Sequence, residues 1–184
     1  MQEKFEIDIY TDGACSGNPG VGGWGVVITL NDFFKEFSGA EASTTNNRME
    51  LQAVIKGLSA LKFSCDVNLY SDSAYVVNAF NQNWVKGWAA NGWRNASGDA
   101  VKNRDLWEEL IRLTNLHNVK FYKVKGHADN ELNNRCDLLA TTAIKEYVKA
   151  HPELSIIESE SDCETANKNK SISKEDFDSL VGDE

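Results

Sequence analysis

The sequence predicts an α/β fold: a five-stranded mixed sheet, an antiparallel meander followed by parallel strands, flanked by helices. Two observations carry this expectation. Before residue 40, three apolar runs of strand type follow one another, the second and third separated only by a two-residue turn. After residue 50, strand-type runs alternate with apolar residues at helical spacing.

Phe5-Glu6-Ile7-Asp8-Ile9-Tyr10 alternates as a half-buried strand does, and Val21 to Leu30 reads as a second strand. A turn at Asn31-Asp32 leads into a third, Phe33 to Ser38. Leu51, Val54, Leu58 and Leu61 recur at i, i+3, i+7 and i+10, which predicts a helix with Asn46 or Asn47 as its N-cap. Val67 to Tyr70 is a fourth strand, followed by a helix from about Ser73 to Phe80. The Trp- and Gly-rich stretch from Trp84 to Asp99 breaks the pattern and reads as irregular. A helix from about Asn103 to Leu116, a fifth strand from Val119 to Val124 and a last helix from Asn130 to Val148 complete a domain over 1–150. Pro152 marks its end.

Residues 151–184 form an acidic tail, expected to be flexible. It holds ten acids against three lysines, so −7 of the net charge of −9 belongs to it. A short helix near 173–181 is the exception to its polar composition: Ser173 precedes Asp176 by three residues as in a capping box, and Phe177, Leu180 and Val181 form a small apolar face. That segment has two readings, a solvated end or a docking element for a protein partner or for the domain's own surface. The domain itself is close to neutral, with sixteen basic and eighteen acidic groups, so a nucleic acid would have to be held by local basic patches. Cys15, Cys65, Cys136 and Cys163 lack paired spacing, and no signal peptide or membrane-length apolar run is present, so the expected setting is the cytoplasm, with no membrane partner.

Four carboxylates stand where these elements meet: Asp12 after the first strand, Glu50 at the start of the first helix, Asp72 after the fourth strand and Asp137 on the last helix. Each taken alone reads as turn, cap, dipole or surface chemistry. Together on one spot they would repel one another strongly, and a divalent cation with oxygen preference would relieve that repulsion. The set points to a metal-dependent nuclease.

The chain resembles type 1, bacterial-type ribonuclease H between residues 5 and 148. The matching stretches are Thr11-Asp12-Gly13-Ala14-Cys15-Ser16-Gly17-Asn18-Pro19-Gly20, Thr44-Thr45-Asn46-Asn47-Arg48-Met49-Glu50, Ser71-Asp72-Ser73, Val101-Lys102-Asn103, and Val124-Lys125-Gly126-His127-Ala128 with Asn133-Asn134-Arg135-Cys136-Asp137. The resemblance implies a ribonuclease H-like fold and a monomeric endoribonuclease. Its substrate would be the RNA strand of an RNA/DNA hybrid, cut by a two-metal-ion mechanism that leaves 5′-phosphate and 3′-hydroxyl ends. Asp12, Glu50, Asp72 and Asp137 are similar to the family's ligands for two Mg²⁺ ions, which Mn²⁺ can replace. His127 resembles its mobile histidine, which assists proton transfer or product release.

The resemblance also implies substrate contacts. Asn18, Asn46 and Asn47, with backbone around Cys15, would face RNA 2′-hydroxyls, and amides that both donate and accept suit that task. Thr45 and Asn103 would hold a phosphate of the DNA strand, although a basic residue common two positions before that threonine is Ser43 here. Trp84 and Trp88 would line the DNA-strand channel, whereas Trp24 and Trp107 read as core. The basic protrusion of bacterial-type members keeps only Lys86, Arg94 and Lys102. Two other readings are a hybrid-binding module without catalysis, against which the complete acid set argues, and a nuclease of this fold acting on DNA, against which the asparagines argue.

Overall fold

A computed structural model describes residues 5–125 and 130–157. Strands β1 (Glu6–Gly17), β2 (Gly20–Leu30) and β3 (Phe33–Thr44) form an antiparallel meander, followed by α1 (Asn46–Ser59), β4 (Asp66–Ser71), α2 (Ala74–Asn81), α3 (Trp84–Ala90), α4 (Arg104–Leu116), β5 (Asn118–Lys123) and α5 (Glu131–Ala150). A 3₁₀ turn, Pro152–Ile157, follows α5. The sheet order is β3-β2-β1-β4-β5, with β4 parallel to both β1 and β5. The mixed five-stranded sheet with flanking helices is the fold class that the hydrophobic pattern implies.

Alternation along the strands divides the sheet into two faces. Ile7 and Ile9 of β1, Val67 and Leu69 of β4 and Val26 and Ile28 of β2 are buried in one cluster with Leu51, Val54 and Leu58 of α1. Residues of opposite parity point the other way. On that face Tyr10, Tyr70 and Tyr122 stack across β1, β4 and β5, with ring centroids 4.7 and 5.3 Å apart. Over β2 the same face is covered by α5. Gly25 makes that possible, because a Cβ there would run into the carbonyl oxygen of Cys136.

Three expectations need correction. β1 and β3 each continue six residues or more beyond their apolar runs, because ladder pairing of Asp12 with Gly25 through Gly17 with Gly20, and of Trp24 with Gly39 through Gly20 with Thr44, overrides weak local propensity. The α1 cap is Thr45 rather than Asn46 or Asn47; its side chain accepts the Arg48 amide at 3.3 Å. Finally, the stretch from Trp84 to Asp99 is not wholly irregular. Its first seven residues form α3, seated by buried Val85 and by Trp88 packing edge-on against Trp107 at 5.4 Å. Seven residues around Gly87 are too few to display a helical period. The remaining boundaries differ by one or two residues. The short helix expected near 173–181 and the loop carrying His127 lie outside the described residues. No described helix is long and apolar enough to cross a membrane.

Candidate metal centre and substrate surface

Asp12 lies in the middle of β1, directly across from Gly25. The absent side chain of Gly25 lets the α5 backbone at Cys136 sit against β2, so Asp137, the next residue, arrives beside Asp12. Gly13 does the same for the other partner. A Cβ on Gly13 would collide with the backbone nitrogen of Glu50, so glycine is what allows the start of α1 to abut β1. Asp72 follows the last residue of β4, one strand over. The cap of α2 is the neighbouring Ser73, whose Oγ accepts the Val76 amide at 3.3 Å, which leaves the Asp72 carboxylate outside the cap.

Carboxylate oxygens of Asp12, Glu50 and Asp72 lie within 4.8 Å of one another. Asp137 is near enough for its charge to raise the pKa of Asp12, although its oxygens are not in that trio. Asp12 and Glu50 are each only 6% exposed. Burial, then the charges of Asp72 and Asp137, push Asp12 up to about 7, against a hydrogen bond donated to its Oδ1 by the Gly13 amide at 2.9 Å. Burial and the charges of Asp12 and Asp72 hold the Glu50 carboxyl well above the usual carboxylate range. Among the described residues no lysine or arginine pairs with any of the four acids. Glu50 Oε2 is buried without a hydrogen-bond partner. An unpaired buried carboxylate oxygen is costly, and hard oxygen donors at this spacing fit a divalent cation of Mg²⁺ or Mn²⁺ type.

Several of the expected substrate residues are tied to β1 and to the start of α1, the elements that carry Asp12 and Glu50. Asn18, in the β1–β2 turn, accepts the Asn46 amide through Oδ1 at 3.2 Å, tying the turn to the start of α1. Asn46 and Asn47 are exposed. Cys15 is half-buried, its thiol donating to the carbonyls of Thr44 and Gly20 at 3.4 and 3.6 Å, and burial raises its pKa. Arg48 bonds both Thr45 and Asn103, its amide donating to Thr45 Oγ1 and its guanidinium to Asn103 Oδ1. Asn103, in the left-handed region at φ 61°, accepts from Arg48 at 3.3 Å and donates to the Tyr75 hydroxyl at 3.2 Å. Trp84 is exposed, while Trp88 is half-buried and doubles as packing against Trp107. Trp24 and Trp107 are buried, as their positions in regular elements imply.

Arg48 is the residue whose place here the sequence did not reveal. Asp105 of α4 holds its guanidinium in a two-bond pair at 3.0 and 2.8 Å, which fixes a cation beside Asn103. The stretch Asn46-Asn47-Arg48-Met49-Glu50 contained the signal, but its partner stands 57 residues away.

The RNase H family model matches residues 4–145. Among curated relatives, ribonuclease H of Chlorobaculum parvum is 61% identical over 140 residues, 76% of this chain and 96% of the relative. Ribonuclease H of Caldanaerobacter subterraneus subsp. tengcongensis is 55% identical over 153 residues, 83% of this chain and 100% of the relative. Among solved structures, LC9-RNase H1, described as a type 1 RNase H with the type 2 active-site motif, superposes with a TM-score of 0.71 at 32% identity, covering 78% of this chain and 74% of that one. LC11-RNase H1 in complex with RNA/DNA hybrid superposes with a TM-score of 0.58 at 25% identity, covering 77% of this chain and 98% of that one. With its sheet, its carboxylates and its sequence all in agreement, the chain belongs to the ribonuclease H family and is a nuclease of the bacterial type.

Proposed function

We propose that this nuclease hydrolyses the RNA strand of RNA/DNA hybrids endonucleolytically, with two Mg²⁺ ions or Mn²⁺ in their place, leaving 5′-phosphate and 3′-hydroxyl ends. The observation that carries the reading is the oxygen trio of Asp12, Glu50 and Asp72 with its partnerless Glu50 Oε2, on a helix whose first residue, Asn46, is bound to Asn18. The hybrid bound to LC11-RNase H1 supports the substrate assignment.

Asp12, Glu50, Asp72 and Asp137 would hold the ions. When bound, the ions supply a hydroxide at neutral pH and neutralise charge growing on the leaving 3′ oxygen of an in-line displacement. Asp12, pushed up to about 7 by burial and by its acidic neighbours, would have to lose its proton to serve as a ligand. His127 serves proton transfer, for which an ordinary imidazole pKa of about 6.5 is suited. Asn18, Asn46 and Asn47, with the Cys15 backbone, read the 2′-hydroxyls of the RNA strand. Thr45, Asn103 and Arg48 take a phosphate of the DNA strand, with Arg48 supplying the cation that Ser43 does not, and Trp84 and Trp88 flank that strand. The enzyme works as a cytoplasmic monomer.

The test is direct. End-labelled hybrid, double-stranded RNA and double-stranded DNA are each incubated with the protein, with Mg²⁺ and with EDTA. Cleavage confined to the RNA strand of the hybrid and abolished by EDTA is expected; cleavage of double-stranded DNA, or cleavage in EDTA, would overturn the reading.

A further inference from the structure

A groove of about 690 Å³ runs between the end of β1 and the last turns of α5, and none of the four carboxylates lines it. Ala14, Ile144, Val148 and Pro152 give it apolar walls, and Lys145 and Lys149 stand on its rim. Both lysines are exposed, and neither forms an ion pair among the described residues. An apolar trough bordered by exposed cations calls for an occupant with apolar side chains and carboxylates together.

The chain carries such a segment. Phe177, Leu180 and Val181 share one face at helical spacing, and Glu175, Asp176 and Asp178 lie beside them. It is also within reach. Pro152 is itself part of the groove wall, and the twenty residues after Ile157, up to and including Phe177, span up to roughly 66 Å when extended, so no strain is needed for the segment to return. A polar connection of this length gives an effective concentration on the order of 1 mM, enough to populate even a weak contact. We infer that the segment Ser173–Val181 docks in cis into the groove between β1 and α5, with Phe177, Leu180 and Val181 against Ile144 and Val148 and its carboxylates against Lys145 and Lys149. Cys15, whose backbone is proposed to face the RNA strand, lines the same groove, so the docked segment stands next to it; that consequence, unlike the docking, rests on the proposed function.

Amide NMR of the full chain, without nucleic acid, tests the docking alone. Phe177→Asp/Leu180→Asp is expected to shift the resonances of Ala14 to Ser16 and Ile144 to Lys149 while leaving those of Phe33 to Phe37 in place. Lys145→Glu/Lys149→Glu is expected to release the segment as well, and adding Glu175→Lys/Asp178→Lys to it restores the wild-type pattern at the groove. Groove resonances identical in the wild type and the Phe177→Asp/Leu180→Asp variant would overturn the proposal. So would light scattering that finds a dimer abolished by that variant, since the groove would then hold the segment of a second chain.

Discussion

The carboxylate centre and the α3 protrusion carry opposite charges, and they are built in opposite ways. The centre draws Asp12, Glu50, Asp72 and Asp137 from β1, α1, the end of β4 and α5, all packed into or against the core, and keeps Asp12 and Glu50 almost entirely from solvent. The protrusion keeps Lys86, Arg94 and Lys102 exposed on and around a seven-residue helix, whose Asn83 cap makes no side-chain hydrogen bond and in which only Val85 is buried. Repulsion explains the contrast. Like charges a few ångströms apart push their own frame open, so they need the stiffest part of the fold beneath them. Cations that follow a phosphate backbone are held well by water, need no fixed geometry, and can stand on a short helix.

The contrast can be broken from the centre first. Asp12→Asn removes a proposed ligand and a charge together, and turnover of labelled hybrid at saturating Mg²⁺ is expected to fall on the order of 1,000-fold or more, with the fold intact by circular dichroism. Next comes one substitution made in both regions. Gly13→Ala forces the backbone of α1 away from β1 and is expected to cost on the order of 3 kcal/mol in urea unfolding, together with most of the activity. Gly92→Ala, just past α3, meets nothing within 4 Å and is destabilised only by its φ of +62°, about 1 kcal/mol.

A pH comparison sharpens the electrostatic side. Asp12 has its folded pKa raised from 3.8 to about 7, so the folded protein binds more protons than the unfolded chain across that interval. Stability from this group is complete below pH 3.8 and is lost as pH climbs through about 7. The carboxamide introduced by Asp12→Asn imitates the neutral carboxyl at every pH. In EDTA, Asp12→Asn is therefore expected to melt close to the wild type at pH 4 and on the order of 5 °C above it at pH 8. The smallest effect belongs to the protrusion. Log affinity of catalytically inactive protein for hybrid against log salt should have a slope of about −3 to −5, and Lys86→Ala or Arg94→Ala should each flatten it by about 1.

What was legible in the sequence follows the same division. Ile7, Ile9, Leu51, Val54 and Leu58 announce their elements by period alone, because burial on one face imposes that period. The four acids were legible as a set through the motifs around them. Composition could not announce that β1 continues through Asp12 to Gly17, since the residues there are small and polar and are held extended by their pairing with β2. Arg48 escaped notice for a related reason: Asp105, which fixes it, is near only in space. α3 was hidden because its helix depends on Trp88 meeting Trp107 from a different helix.

The claim beneath all of this is that the buried acids hold protons until a cation takes their place. Calorimetric titration of the protein with Mn²⁺, in two buffers of different ionisation enthalpy, counts those protons. At pH 6.5 the wild type should release about one proton per chain on binding, fewer as pH rises to 8.5, and Asp12→Asn should bind more weakly and release fewer. Binding at pH 6.5 with no proton released, or equal affinity in Asp12→Asn, would contradict the account.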